Sequence, residues 1–274
     1  MKPDARTILP ADYHMHTAWC GHADGSMEDY VLAAIEKGLP EIGFSPHLPM
    51  QIPISEKVCV TPEDMLVLLD EFHRLRPTYP QLPLRLGGEA DFIPGNERIV
   101  EKMKTDYGLE YLIGSVHFIG GWAFDHPAYI DGFDCRPIDD IYRRYFDLVA
   151  QAAQTGLFDV IGHLDLPKKF GHRPDGGYAD LARPAIEAMA ANGVAVEINT
   201  AGRDKPVGEF YPCRDLLVLC REAGVRLVFG SDSHAPEQVG RYFAEAVELA
   251  RSAGYTHTMS LGPGREPVEL RRIL

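Results

Sequence analysis

Short apolar runs alternate along the chain with longer amphipathic stretches. Seven of the short runs are rich in β-branched or aromatic residues and end in polar or glycine-containing segments, a pattern that predicts β-strands. The predicted strands are Ala11–His16, Glu41–Ser45, Leu84–Glu89, Tyr111–Val116, Phe158–His163, Val194–Asn199 and Arg226–Ser231.

Helices are predicted between these strands by their start and stop signals. Ser26 followed by Asp29 resembles a capping box, and Gly38 ends the apolar periodicity that follows. Thr61 precedes a proline, which is favoured at the first helical position. The remaining predicted helices are Ile138–Thr155, Tyr178–Asn192, Tyr211–Ala223 and Glu237–Ala253.

Repeated strand–helix units predict a parallel sheet in an α/β protein. Seven units in 274 residues fit a closed barrel best, and the stretch from Thr256 to Ser260 is too short and polar to supply an eighth strand. We therefore predict a single domain over residues 1–274, a distorted (β/α)7 TIM-like barrel with its active site at the C-terminal ends of the strands. An open, doubly wound sheet is the alternative.

Composition and charge restrict the class of partner. The formal net charge of −13 argues against binding nucleic acid or an anionic membrane surface. The longest apolar runs have about five residues, far fewer than a bilayer span needs, and no apolar signal segment follows Met1. Five cysteines without a C-x-x-C pair suit reduced thiols in the cytoplasm. These features predict a cytoplasmic protein and leave its oligomeric state open.

Histidines and carboxylates stand at or just beyond the ends of the predicted strands. Because the C-terminal ends of parallel barrel strands meet at one mouth, we expect these side chains to form one site. The predicted metal ligands are His14, His16, His22, His47, Glu89, His117, His163, Asp232 and His234.

The spacing of these residues explains how they would bind metal. His14 and His16 point the same way from a strand, and Glu89 has two oxygens with which to bridge two ions. Imidazole with carboxylate suits zinc, iron(II) or manganese(II). A single histidine is more often structural, so His73, His126, His172 and His257 receive no role. Cys20 is expected near the site, but not as a ligand.

These motifs resemble those of the polymerase-and-histidinol-phosphatase (PHP) superfamily of metal-dependent phosphoesterases. The resemblance runs from Asp12 to about Gly264, and it rests on His14-Met15-His16, Glu89, Gly114-Ser115-Val116-His117, Gly162-His163 and Ser231-Asp232-Ser233-His234. It implies a distorted seven-stranded barrel and a trinuclear metal site whose ligands are the nine residues given above.

The segments around these motifs resemble the histidinol-phosphate phosphatases of that superfamily. The similar segments are residues 114–119, 122–125, 199–203 and 205–209. The resemblance implies that Arg203 and Lys168 are catalytic cations that hold the substrate phosphate. Lys168 stands where those enzymes often have arginine, and lysine cannot bind phosphate bidentately. Phe118, Trp122 and Asp125 are expected to contact the rest of the substrate, the aromatic rings facing an imidazole and the carboxylate an ammonium group.

Such a site suits hydrolysis of a phosphomonoester, since metal-bound water loses a proton near neutral pH and a metal-bridging hydroxide can attack phosphorus. The resemblance implies that the reaction converts L-histidinol phosphate, a small phosphorylated metabolite, to L-histidinol and phosphate in histidine biosynthesis. A PHP nuclease or phosphoesterase for another substrate is the main alternative. An amidohydrolase, for which no bridging lysine is evident, and a non-enzymatic metal-binding protein are the others.

Overall fold

A central sheet of six parallel strands organises the fold. The computed structural model describes residues 9–50 and 58–271. The central sheet has the order β1-β2-β3-β6-β7-β8, while β4–β5 and β9–β10 form two antiparallel pairs outside it. The strands are β1 Ile42–Phe44, β2 Leu84–Asp91, β3 Tyr111–Ser115, β4 Phe118–Ile119, β5 Trp122–Ala123, β6 Val160–Ile161, β7 Ala195–Asn199, β8 Leu227–Gly230, β9 His257–Met259 and β10 Pro267–Glu269.

The segment 12–16 joins the two edges of the central sheet, where the first strand was predicted. Asp12 forms a parallel bridge with Ile42 of β1, and Met15 forms one with Ser233 just after β8. Its hydrogen bonds run to both sides: Ser45 N donates to Met15 O at 3.0 Å, and His16 N donates to Ser233 O at 2.9 Å. The segment 12–16 therefore closes the sheet. This confirms the predicted distorted barrel and not the alternative of an open sheet.

Seven α-helices lie between the strands in the described part of the chain. Ser26 and Asp29 form the predicted capping box, and Thr61 Oγ1 accepts a hydrogen bond from Asp64 N at 3.0 Å. One helix, α3, was not predicted, because Val100 is its only buried side chain and its apolar stripe is narrow. The helices are α1 Met27–Lys37, α2 Pro62–Thr78, α3 Glu97–Asp106, α4 Ile138–Gln154, α5 Ala179–Asn192, α6 Arg214–Glu222 and α7 Phe243–Ser252.

The two ends of the barrel differ in chemistry. At the end where the strands begin, Tyr13 Oη donates to Glu41 Oε1 at 2.5 Å, and Arg85 Nη2 pairs with Glu41 Oε2 at 2.7 Å. The β9–β10 hairpin covers this end, and Leu261 N donates to Tyr13 Oη at 3.0 Å. The end where the strands finish is therefore the one left for a site. Within the described ranges, no helix has both the length and the apolar character needed to cross a membrane.

Candidate metal centre

The nine predicted ligands come together as one cluster at the C-terminal end of the barrel. Its first group contains His14 and His16 from the segment 12–16, which we call the closing segment, together with Glu89 from β2 and Asp232 from the turn after β8. Glu89 Oε2 lies 3.3 Å from His14 Nε2 and 3.4 Å from His16 Nε2. Asp232 Oδ1 lies 3.4 Å from His16 Nε2. Ligand atoms of His14, His16 and Glu89 thus lie within 4.8 Å of one another, and Asp232 adds a carboxylate oxygen beside His16.

A second group, formed by His47, His117 and His163, lies around both oxygens of Glu89. His163 Nε2 lies 3.1 Å from Glu89 Oε1 and 3.3 Å from His117 Nε2. His47 Nδ1 approaches Glu89 Oε2 at 3.0 Å. Glu89 therefore faces the first group and the second with its two oxygens, as expected of a bridging carboxylate.

A third group lies nearer to solvent. His22 Nε2 and His234 Nε2 are 2.9 Å apart. His234 also belongs to a cluster with His16 and His47, in which the potential ligand atoms all lie within 4.8 Å of one another. The third group therefore shares His16 with the first and His47 with the second.

Buried atoms without partners indicate that this cluster fits divalent cations. His14 Nε2, His16 Nε2 and Glu89 Oε2 are buried and have no hydrogen-bond partner among the described residues. Leaving such atoms unpaired is unfavourable, and a metal ion would satisfy them. Tetrahedral ligands about 2.0–2.1 Å from zinc lie about 3.3 Å apart, close to the separations found here. The overlapping groups suit more than one ion, and the total of three stays a prediction.

Glu197 of β7, which the sequence pattern did not single out, orients two of the predicted ligands. Its Oε1 lies 2.6 Å from His14 Nδ1, while its Oε2 accepts a hydrogen bond from His163 N at 2.9 Å. Gly230 makes room for this carboxylate, because a Cβ there would lie 2.6 Å from His14 Cβ and 2.9 Å from Glu197 Cδ. The only signal in the sequence was an acidic residue inside an apolar strand, which by itself does not indicate a ligand-orienting role.

Other buried groups contact the rings of His117 and His16. Asp91 Oδ1 lies 2.7 Å from His117 Nδ1, which leaves Nε2 of that ring to face the cluster. Cys20 Sγ lies 3.6 Å from His16 Nδ1, so the predicted near-site thiol contacts a ligand ring through the nitrogen that faces away from Glu89. Asp91 could have been found from the sequence, since it follows Glu89 by two positions on one strand and therefore points the same way.

Two of the ligand residues have left-handed backbone conformations. The φ angle is 26° at His163 and 49° at Asp232. Non-glycine residues rarely adopt positive φ, and such strain concentrates at functional sites where the surrounding structure enforces it. Here the hydrogen bond from His163 N to Glu197 holds one of the two turns.

The electrostatics of the cluster divide its ligands into two kinds. Burial and neighbouring histidines lower the pKa of His22 to about 4, and burial also lowers the pKa of His16, so both rings are neutral at pH 7. Burial opposes the charged form of His14 and His117 as well, but nearby carboxylates outweigh it. Glu197 raises the pKa of His14, and Asp91 raises the pKa of His117 to about 10.

Metal loading should therefore release protons. Without metal, His14 and His117 are protonated at pH 7 because their pKa values are raised, and a ring must lose its proton before its nitrogen can ligate. We expect zinc addition at pH 7 to acidify a weakly buffered solution, and we expect the apparent zinc affinity to fall as the pH is lowered from 8 to 6. Calorimetric titration in buffers of different ionisation enthalpy measures the proton release. Binding without any proton release would contradict the raised pKa values.

A cavity of about 380 Å³ lies over the metal cluster. Besides the ligands, its wall contains cationic, acidic and aromatic side chains. Those used below are Lys169, Lys205, Arg241, Asp125, Phe118 and Tyr211. A cavity of this size suits a small molecule.

The structure brings only some of the predicted substrate residues to this cavity. Phe118 and Asp125 line it, as expected. Trp122 instead packs against Phe133, with ring centroids 4.9 Å apart, and donates through Nε1 to Tyr129 O. The predicted contact of Trp122 with substrate therefore has no support from the geometry.

The two predicted phosphate-binding cations also lie elsewhere. Lys168 is fully buried beside the cavity, where its Nζ pairs with Asp165 Oδ2 at 3.0 Å and donates to Phe210 O at 2.7 Å. Arg203 is exposed, donates to Gly208 O at 3.1 Å, and lines a separate surface pocket. Neither side chain lines this cavity, and the phosphate-binding roles of Lys168 and Arg203 stay predictions. Lys169, which follows Lys168 directly, and Lys205, two residues after Arg203, do line the cavity.

Comparison with known proteins adds relatives of similar length. The chain is 43% identical over 245 residues to the "Probable histidinol-phosphatase" of Deinococcus radiodurans, covering 89% of this chain and 93% of that protein. It is 26% identical over 262 residues to the histidinol-phosphatase of Bacillus subtilis, covering 86% of this chain and 98% of the relative.

A solved structure has the same fold. The histidinol phosphate phosphatase of Lactococcus lactis, solved with zinc, L-histidinol and phosphate, superposes with a TM-score of 0.79 at 23% sequence identity. The superposition covers 93% of this chain and 98% of the other. The family model named PHP domain matches residues 12–201, which include seven of the nine clustered ligands. This chain is therefore a member of the PHP domain family.

Proposed function

We propose that this protein is a metal-dependent phosphomonoesterase that hydrolyses L-histidinol phosphate to L-histidinol and phosphate. The observation that carries the proposal is the set of unpartnered imidazole nitrogens and carboxylate oxygens at the base of a cavity with a cationic wall. The names of the relatives supply the substrate, and the cavity offers complementary groups for each part of it.

The metal site would be held by the nine clustered side chains, with Glu89 shared between ions. Bound divalent ions supply a nucleophile from water at neutral pH and neutralise charge on the phosphate. His14 and His163 are held for this purpose by Glu197, and His117 by Asp91. The contacts at His14 Nδ1 and His117 Nδ1 fix which nitrogen of those two rings points inwards, while the bond from His163 N holds the backbone of that residue.

Lys205 is the cation best placed to bind phosphate. Among the described residues, none of the carboxylates forms an ion pair with its Nζ, whereas Lys169 pairs with Asp125 at 3.0 Å. Lys205 lies in the fields of Asp232, Lys169 and Arg241, and desolvation lowers its pKa from the ordinary value. An ammonium without a protein partner can pair with a dianionic phosphate at little reorganisation, because no existing contact has to be broken.

Other wall residues orient the substrate. Asp125 is ionised, since Lys169 and His117 lower its pKa despite burial, and it can accept a hydrogen bond from the substrate ammonium. Phe118 provides an aromatic face for the imidazole. Arg241 donates to Ser231 O and Asp232 O at 3.0 and 3.1 Å, and so positions the turn that carries Asp232.

The proposal is tested by phosphate release. Protein loaded separately with zinc, manganese(II) or iron(II) is given L-histidinol phosphate, other small phosphomonoesters and a single-stranded DNA oligonucleotide. We expect L-histidinol phosphate to have the highest kcat/KM and EDTA to abolish turnover. Preferential cleavage of the oligonucleotide would favour the nuclease alternative, and the absence of any phosphate release would contradict the proposal.

Substitution of Lys205 separates its role from that of Arg203. Lys205→Met removes a charge-assisted contact of about 1.5–3 kcal/mol, so kcat/KM should fall by about 10- to 150-fold, with a raised KM and weaker inhibition by phosphate. Arg203→Met removes the same formal charge two positions away but outside the cavity, and it should change these constants by less than about 2-fold. Steady-state kinetics with added phosphate provide the measurement. Equal effects of the two substitutions would contradict the assignment of Lys205.

A further inference from the structure

Tyr211 lines the cavity with a side chain that the metal cluster does not use. The residue is 2% exposed. Its backbone is fixed at the end of β7, where Asn199 N donates to Tyr211 O at 2.7 Å and Tyr211 N donates to Asn199 O at 3.0 Å. The ring stands almost perpendicular to the ring of the clustered ligand His163, with the centroids 6.4 Å apart. Tyr211 is therefore a rigidly held part of the cavity wall next to the metal cluster.

The hydroxyl of Tyr211 has no hydrogen-bond partner among the described residues, although it is buried. Neighbouring buried tyrosines do have partners: Tyr142 Oη donates to His172 O at 2.8 Å, and Tyr145 Oη donates to His163 O at 3.1 Å. Burying an unpaired hydroxyl costs free energy, so a well-packed protein normally supplies an acceptor. Tyr211 also lines the cavity, so a ligand group that reaches its hydroxyl could supply the acceptor that the protein does not.

The surroundings hold the ring in place. A Cβ at Gly202 would lie 2.7 Å from Tyr211 Cε2 and 2.9 Å from Cζ, so the absence of a side chain at position 202 creates the space that the ring occupies. On another side, the Nζ of the buried Lys168 lies 5.4 Å from the ring centroid. Because Lys168 is itself held by Asp165 and Phe210 O, it supports the ring through a cation–π contact. This gives Lys168 a positioning role behind the cavity wall.

We propose that the Tyr211 hydroxyl donates a hydrogen bond to a non-bridging phosphoryl oxygen of the substrate, and this inference rests on the proposed phosphomonoesterase function. A phenol is a donor at neutral pH, and burial together with nearby carboxylates raises the pKa of Tyr211 above its ordinary value. Lys205 and Tyr211, which line the same cavity, would then both contact the phosphoryl group.

The contact should be retained by the product phosphate, and this gives the test. Tyr211→Phe removes only the hydroxyl. In the metal-loaded enzyme we expect kcat/KM for L-histidinol phosphate to fall by about 10- to 100-fold, and the inhibition constant of inorganic phosphate to rise by a similar factor. The melting temperature should stay the same or rise, since no protein–protein hydrogen bond is lost.

Tyr142→Phe is the matched control, because it removes a buried hydroxyl that already has a protein acceptor away from the cavity. It should lower the melting temperature and leave the phosphate inhibition constant within about 2-fold of the wild-type value. If Tyr211→Phe behaves like this control, the hydroxyl is structural and the inference is wrong. A lower kcat with unchanged phosphate inhibition would also overturn the stated contact, because it would place the hydroxyl at the leaving group.

Direct binding separates this inference from the proposed function. Calorimetric titration of the metal-loaded protein with inorganic phosphate needs no turnover. Weaker phosphate binding in Tyr211→Phe would support the contact even if L-histidinol phosphate proved not to be the substrate. Equal binding by wild type and variant would overturn the contact even if the enzyme hydrolysed L-histidinol phosphate rapidly.

Discussion

Replacement of Glu89 by glutamine is expected to lower kcat by at least about 1000-fold. Both carboxylate oxygens of Glu89 face ligand nitrogens, at 3.3 Å from His14 on one side and 3.1 Å from His163 on the other. Glutamine keeps the shape but offers one oxygen and one amide NH2 group, which cannot ligate a cation. The loss of a bridging charge should remove several kcal/mol of transition-state stabilisation, and about 1.4 kcal/mol corresponds to tenfold in rate.

Turnover and bound metal should both be measured for Glu89→Gln. Glu110→Gln is a suitable control, because Glu110 forms ion pairs with Arg76 and Arg85 at the opposite end of the barrel. That variant should keep its metal and its kcat. If Glu89→Gln retained the full metal content and more than about a tenth of the wild-type kcat, Glu89 would not be the shared ligand of the cluster.

Glu197→Gln is expected to weaken metal binding by about 10- to 100-fold without removing any ligand. Glu197 accepts from His14 Nδ1 through one oxygen and from His163 N and Asn199 Nδ2 through the other. A glutamine has only one carbonyl oxygen, so it can accept hydrogen bonds either from His14 Nδ1 or from His163 N and Asn199 Nδ2. Its NH2 group must face a donor at the other position. The expected result is a misoriented ligand ring next to an unpaired donor in a buried place.

Competition with a chromophoric chelator measures the zinc affinity of Glu197→Gln. Glu41→Gln serves as control, since Glu41 is also a buried carboxylate with several partners, but at the other end of the barrel. Both variants should lose stability, and only Glu197→Gln should lose zinc affinity. A similar affinity in the two variants would show that Glu197 has a purely structural role.

The metal ligands could be predicted from the sequence because barrel geometry makes the prediction simple. Parallel strands end at one mouth, so a histidine at each strand end is enough to place the cluster. The first predicted strand was the least regular: residues 12–16 are extended and form only isolated bridges, yet His14 and His16 still point to the same site.

The groups that support the cluster could not be predicted in the same way. Glu197 lies inside a buried strand, and Tyr211 looks like any aromatic core residue until the surroundings of its hydroxyl are known. The resemblance implied Arg203 for phosphate binding, whereas Lys205 lines the cavity. Both follow β7 in a 3-10 turn over residues 201–204 and its exit, where no strand alternation tells which side chain faces inwards.

The closing segment has a consequence for when the site can form. His14 and His16 lie near the start of the chain, whereas Asp232 and His234, which complete the first and third groups, lie near its end. During synthesis the N-terminal part of a chain leaves the ribosome first. His14 and His16 therefore have all their partners only after the chain has been made as far as His234, when Met15 and Ser233 can pair. A chain cut short in β8 would carry seven of the nine predicted ligands and still have no complete site, so metal acquisition requires the chain as far as His234.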